Sequence, residues 1–86
     1  MKIDYLKEHF PDALVAVNEL LAGHGRDKHE EDEWRKLFPA DNADLAVDHL
    51  ERWMCEEAID PDTGKSHLIN AACRCIMALQ KELEEK

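Results

Sequence analysis

The sequence predicts an all-α fold, a compact bundle of about four helices, and three observations carry that expectation. Apolar residues recur at three- and four-residue spacing, no segment alternates with period two, and proline and glycine fall where helices would begin or stop. The chain has 86 residues, enough for a single domain over residues 1–86 with one modest core. Residues 1–10 read as an N-terminal segment leading into it.

Pro11 suits the first turn of a helix, where its missing N–H costs nothing, and Asp12 complements the helix dipole there. Leu14, Val17, Leu20 and Leu21 then form an apolar face, and the glycine at Gly23 marks the end. A polar connector, HGRDKH, follows. The second helix is expected from about His29 to Phe38: an acidic first turn, EEDE, then Trp34, Leu37 and Phe38 on one buried side, with Pro39 as its stop.

The third helix is expected to open at Asp41 or Asn42 as N-cap and to run to about Ile59. Its core stripe would be Ala43, Ala46, Val47, Leu50, Met54 and Ala58. After Asp60-Pro61 and Gly64, Ser66 caps a last helix whose core side would be Leu68, Ile69, Ala72, Ile76, Leu79 and Leu83. These last two helices are expected to pack antiparallel through the short DPDTGKS loop, and the charged tail over 80–86 to fray. His67, Asn70 and Arg74 fall on a different face of the last helix, open to solvent, a ligand or a second copy.

The charge balance narrows the partners. A formal net charge of −9, from 20 acidic against 11 basic residues, argues against nucleic acid. The opening MKIDYLKEHF lacks a signal-peptide core and no run is long enough to span a bilayer, which predicts no membrane. Three cysteines, Cys55, Cys73 and Cys75, include no C-x-x-C pair and predict a reducing, cytoplasmic setting.

The chemistry concentrates between Asp48 and Asn70. In a helix running to Ile59, His49, Trp53, Glu56 and Asp60 share one stripe, with Glu57 beside it and His67 opening the next helix. Two imidazoles and several carboxylates around one junction offer the nitrogen and oxygen donors of a divalent-metal site for Mn, Co, Zn or, with more carboxylate and water, Mg, or a phosphate site. Glu57 and Asp60 also have the E-x-x-D spacing with which helical nucleotide pyrophosphohydrolases hold magnesium, and Glu30, Glu31 and Glu33 are candidates for further carboxylates. A calcium hand is rejected, since Gly64 is fifth and Ala71 twelfth in the loop where glycine sixth and glutamate twelfth are needed. Trp53 is a candidate to stack on a base. Arg26, Lys28, Arg35, Lys65 and Arg74 are the candidate phosphate contacts.

The ordered runs GHGRDKHEEDEWRK, DHLERW and EEAIDPDTGKSHLINAA resemble the small phage-type dATP/dGTP diphosphohydrolase domain family. Its members read Gly-x-x-Lys-Tyr and Asn-Trp-Arg, then Arg-His-Leu, Gly-Glu, Asp-Pro-x-Ser-Gly and His-Leu-x-His. The likeness spans about Leu14 to Leu79, strongest at His49, Glu57, Asp60, Pro61, Gly64 and His67. It implies a helical domain that hydrolyses purine (deoxy)nucleoside triphosphates to monophosphate and pyrophosphate with a divalent metal, in a phage or prophage setting and so in the host cytoplasm.

Under that resemblance His49, Glu57, Asp60 and His67 hold the metal, His49 and Glu57 serve catalysis, and Trp53, Lys65, Asn70 and Arg74 meet the substrate. A homodimer is expected from the two long apolar stripes. The chain departs from the family pattern at His29, Glu33, Asp48, Glu56 and Asn70, which stand for Tyr, Asn, Arg, Gly and His. Those departures motivate an alternative, a non-enzymatic phage protein that binds and sequesters a nucleotide or a nucleotide-derived defence signal.

Overall fold

The structure, a computed structural model, describes residues 4–24 and 36–85. Four helices form among the described residues: α1 (Asp4–His9), α2 (Pro11–His24), α3 (Pro39–Met54) and α4 (His67–Glu84). The fold is all-α, as the periodicity requires, but its helices differ from those expected. The N-terminal segment supplies α1, and the expected helix from His29 to Phe38 falls largely on residues 25–35, outside the described residues together with Trp34. Of its remaining residues, Leu37 is half-buried and Phe38 is exposed, contrary to the burial expected of both.

Proline explains one shifted boundary. Pro39 opens α3 at its first turn, where a fixed φ and a missing N–H suit the position. The Asp41 carboxylate accepts the Phe38 backbone N–H at 3.0 Å, so Asp41 caps the helix from inside its first turn. α4 begins as expected, with Ser66 Oγ accepting the Leu68 N–H at 3.0 Å, and continues through the charged tail to Glu84.

The end of α3 is the second shift. The helix stops at Met54, not near Ile59. There the Glu57 N–H donates to the Arg52 carbonyl at 3.0 Å and the Glu56 N–H to the Trp53 carbonyl at 3.2 Å, the paired bonds of a Schellman motif. That motif needs a left-handed residue between them, and Glu56 takes it, with φ +73°. Glycine adopts this conformation without the clash of a Cβ. The family's glycine before Glu57 therefore has a backbone reason.

The chain from Ala58 to Ser66 returns tightly. Ile59 and Ser66 form an isolated antiparallel bridge, the His67 N–H donates to the Ala58 carbonyl at 2.8 Å, and Gly64 turns the backbone at φ +72°. These bonds fix the rotation at which α4 starts, so that His67 faces α3. The two helices pack antiparallel: His49 meets His67 at one end, and Asn42 meets Arg74 at the other. Ala46 and Ala71, each 3% exposed, lie between these ends and offer little bulk to hold the backbones apart.

This rotation overturns the expected core sides of both helices. On α4 the buried residues are His67, Asn70, Ala71, Cys73 and Met77, whereas Leu68, Ile76, Leu79 and Leu83 are all exposed. On α3 only Asn42 and Ala46 are buried, Leu50 is half-buried, and Val47 and Met54 face water. α2 behaves as expected, with Leu20 buried and Leu14, Val17 and Leu21 half-buried. Cys73 joins it to α4, its thiol reaching the Val17 carbonyl at 3.7 Å. Burial pushes that thiol's pKa up to about 11.

Candidate metal centre

The inward rotation of α4 brings two imidazoles and a carboxylate together at one end of the α3–α4 seam. His49 comes from the third turn of α3, His67 from the first residue of α4, and Asp60 from the connecting turn. Each offers one ligand atom, and these atoms lie within 4.8 Å of one another. His67 is fully buried and Asp60 is 4% exposed. Asp60 reaches this place because α3 ends early and the return loop carries it inward, not because a helical stripe aligns it with His49.

The hydrogen bonds assign the protons. Glu57 Oε1 lies 2.8 Å from His67 Nε2; a carboxylate oxygen accepts, so Nε2 carries the hydrogen, and in the neutral ring Nδ1 carries the lone pair. His67 Nδ1 in turn lies 2.9 Å from His49 Nδ1. Two nitrogens bound to one ion at about 2.1 Å each would stand roughly 3.0–3.4 Å apart, so the rings already approach that spacing. Burial lowers the pKa of His49, with Asp60 opposing and His67 adding to the shift. With the lone pair on His67 Nδ1, His49 Nδ1 carries the hydrogen between the two rings, and a cation held by both nitrogens would replace that hydrogen.

Glu57 is not in the ligand group itself. It stands behind His67, its side chain about half exposed, as a carboxylate that orients a ligating imidazole. The E-x-x-D pair is accordingly not a helical one, since both residues follow the end of α3. Asp60 is held by its own turn: Oδ1 accepts the Asp62 N–H at 2.9 Å, and its backbone carbonyl accepts the Gly64 N–H at 2.8 Å.

The residues expected to meet substrate are divided. Trp53 lies one turn beyond His49 on α3 and is exposed, as is Lys65 in the loop. Asn70 is buried, and its amide hydrogens go to Thr63 Oγ1 at 3.1 Å and the Ser66 carbonyl at 3.0 Å, which clamps the loop onto α4 instead of facing a ligand. Arg74 is half-buried at the far end of the seam, where Nη1 donates to Asn42 Oδ1 at 2.9 Å. Asp48, in the place of the family's Arg, pairs with Arg52 at 3.2 Å along α3. Glu30, Glu31, Glu33, Arg26, Lys28 and Arg35 lie outside the described residues.

Sequence reasoning missed Asn42, which it treated as a cap. Its signal was available: Asn42, Ala46, His49 and Trp53 share one helical line, on which a polar residue interrupts small and aromatic ones.

An all-helical domain built round a buried polar seam, with a His–Asp–His group at one end, is the class this geometry defines. The chain belongs to the dATP/dGTP diphosphohydrolase N-terminal family, whose model matches residues 1–86. No curated protein and no solved structure matches it. No helix among the described residues is long and apolar enough to cross a membrane.

Proposed function

We propose that this domain hydrolyses purine (deoxy)nucleoside triphosphates to the monophosphate and pyrophosphate with a divalent cation held by His49, Asp60 and His67. The carrying observation is the convergence of those three side chains, with Glu57 fixing the outer nitrogen of His67, in a chain of this family. Two imidazole nitrogens and one carboxylate oxygen suit Mn, Co or Zn better than Mg, which favours oxygen ligands. When bound, the cation would polarise phosphate oxygens and lower the pKa of a water. The residues do the rest: Glu57 keeps His67 in the ligating tautomer, burial disfavours the charged form of His49, and the Asx turn holds the Asp60 carboxylate. Exposed Trp53 and Lys65 offer a stacking face and a phosphate contact at the same end.

Pyrophosphate release from dATP, dGTP, ATP and GTP with Mg, Mn or Co tests this directly. The expected result is metal-dependent release that His49→Ala abolishes and Glu57→Gln reduces by about 10–100-fold. Absence of release with every metal would overturn it.

A second reading, sequestration without hydrolysis, is favoured by one observation. Glu57, expected to act in catalysis, is engaged by His67 Nε2. Calorimetry that finds tight nucleotide binding, with the ligand recovered intact, would select it.

The proposal includes a homodimer. Ile76, Leu79 and Leu83 are exposed on α4 at spacings of three and four, and half-buried Ile69 and Ala72 continue the same row toward its start. A row of this kind is complementary to itself, so a second copy of α4 is its occupant.

A further inference from the structure

The far end of the α3–α4 seam holds a second polar pair, Asn42 and Arg74, seven residues from His49 and His67 on each helix. At the helical rise this is about 10 Å from the histidines. Asn42 is 0% exposed, its Oδ1 accepts from Arg74 Nη1 at 2.9 Å, and its Nδ2 has no acceptor. The Arg74 bonds both use Nη1, the other reaching Met77 Sδ at 3.8 Å. Among the described residues no carboxylate pairs with this half-buried guanidinium.

That choice of partner is unusual for this chain. Acidic residues outnumber basic ones 20 to 11, yet the side chain set against the buried part of Arg74 is a neutral amide. An aspartate at position 42 would accept from the guanidinium at both oxygens and leave no N–H without a partner. Asparagine instead leaves a buried donor unsatisfied and the positive charge uncompensated. Both features favour an external acceptor that is anionic, because the unsatisfied atom is a donor and, among the described residues, the guanidinium is paired only with neutral groups.

We propose that Asn42 and Arg74 form an anion-binding subsite for polyphosphate oxygens, with Arg74 as the contact and Asn42 as the residue that positions its guanidinium. The assignment rests on the nucleotide reading above and extends it, placing a phosphate hold about 10 Å along the seam from the His–Asp–His group. Asn42 works through its neutrality as well as its shape. It fixes Nη1 while leaving Nη2, Nε and the full charge for the ligand.

Calorimetry with inorganic pyrophosphate in the presence of a chelator tests the subsite without metal or nucleotide, so its outcome is separate from that of the turnover assay. The wild-type chain is expected to bind pyrophosphate, and Arg74→Gln and Asn42→Asp to weaken it at least tenfold. Asn42→Asp is expected to melt no lower than wild type, and Mn2+ binding to be unchanged in Arg74→Gln. Asn42→Ala, which frees the guanidinium without neutralising it, is expected to weaken pyrophosphate binding by a smaller factor. No pyrophosphate binding by the wild-type chain, or affinity unchanged in Arg74→Gln and Asn42→Asp, overturns the subsite. Wild-type affinity in a folded Asn42→Ala overturns the positioning role.

Discussion

The two sides of α4 invert the usual division between inside and outside. Its inner side buries His67 and Asn70 beside Ala71, Cys73 and Met77, while its outer side presents Leu68, Ile76, Leu79 and Leu83 to water. Burying an unsatisfied imidazole or amide is costly, and here the cost is removed locally: both ring nitrogens of His67 have partners, as do both amide hydrogens of Asn70. Leaving four large apolar side chains exposed has no such local remedy. The inner side carries partnered polar groups, and the outer side carries large apolar ones.

The largest effect is expected at His67. His67→Ala removes a fully buried ring, leaves a cavity and takes a hydrogen-bond partner from His49, so urea denaturation is expected to show a loss of about 2–4 kcal/mol. A loss below about 0.5 kcal/mol would mean the inner side does not hold α4 to α3. On the outer side, Leu79→Lys with Leu83→Lys is expected to leave the helical content intact and to convert a dimer into a 9.9 kDa monomer by light scattering. If the pair instead unfolds the chain as His67→Ala does, the outer side is core and the comparison fails.

A smaller effect is expected at Glu56, in the turn that leads from α3 toward α4. Glu56 occupies the left-handed position of the Schellman motif that ends α3, a conformation that costs a non-glycine residue about 1–2 kcal/mol. Glu56→Gly is expected to raise stability by about 1 kcal/mol, after the added chain entropy of glycine is set against the relieved strain. A melting temperature below that of wild type would show that the glutamate side chain contributes more than its backbone strain costs.

The same residue explains how much could be read from the sequence. The all-α class, the α2 face, the Ser66 cap and the antiparallel pairing through DPDTGKS follow from spacing and cap chemistry, and the structure has them all. The end of α3 was not legible, because its stop signal is a glutamate doing what glycine does elsewhere. An α3 run on to Ile59 places Asp60 on a helical stripe with His49; the real chain brings Asp60 in by a loop. The residues that meet, His49, Asp60 and His67, were legible by type and proximity, whereas their geometry was not. The burial of α4 was misread for a different reason. Periodicity shows that a helix has an apolar side but not which surface covers it, and here three bonds in the preceding loop turn that side outward.

Titration of Mn2+ or Co2+ into the wild-type chain and into Asp60→Asn tests whether His49, Asp60 and His67 hold a cation. The substitution keeps an oxygen to accept the Asp62 N–H and so preserves the turn, while it removes the only carboxylate in the His–Asp–His group. One ion per chain is expected for the wild type, with at least tenfold weaker binding for Asp60→Asn at unchanged melting temperature. Equal affinity in the two proteins, or no binding by the wild type, would contradict that expectation.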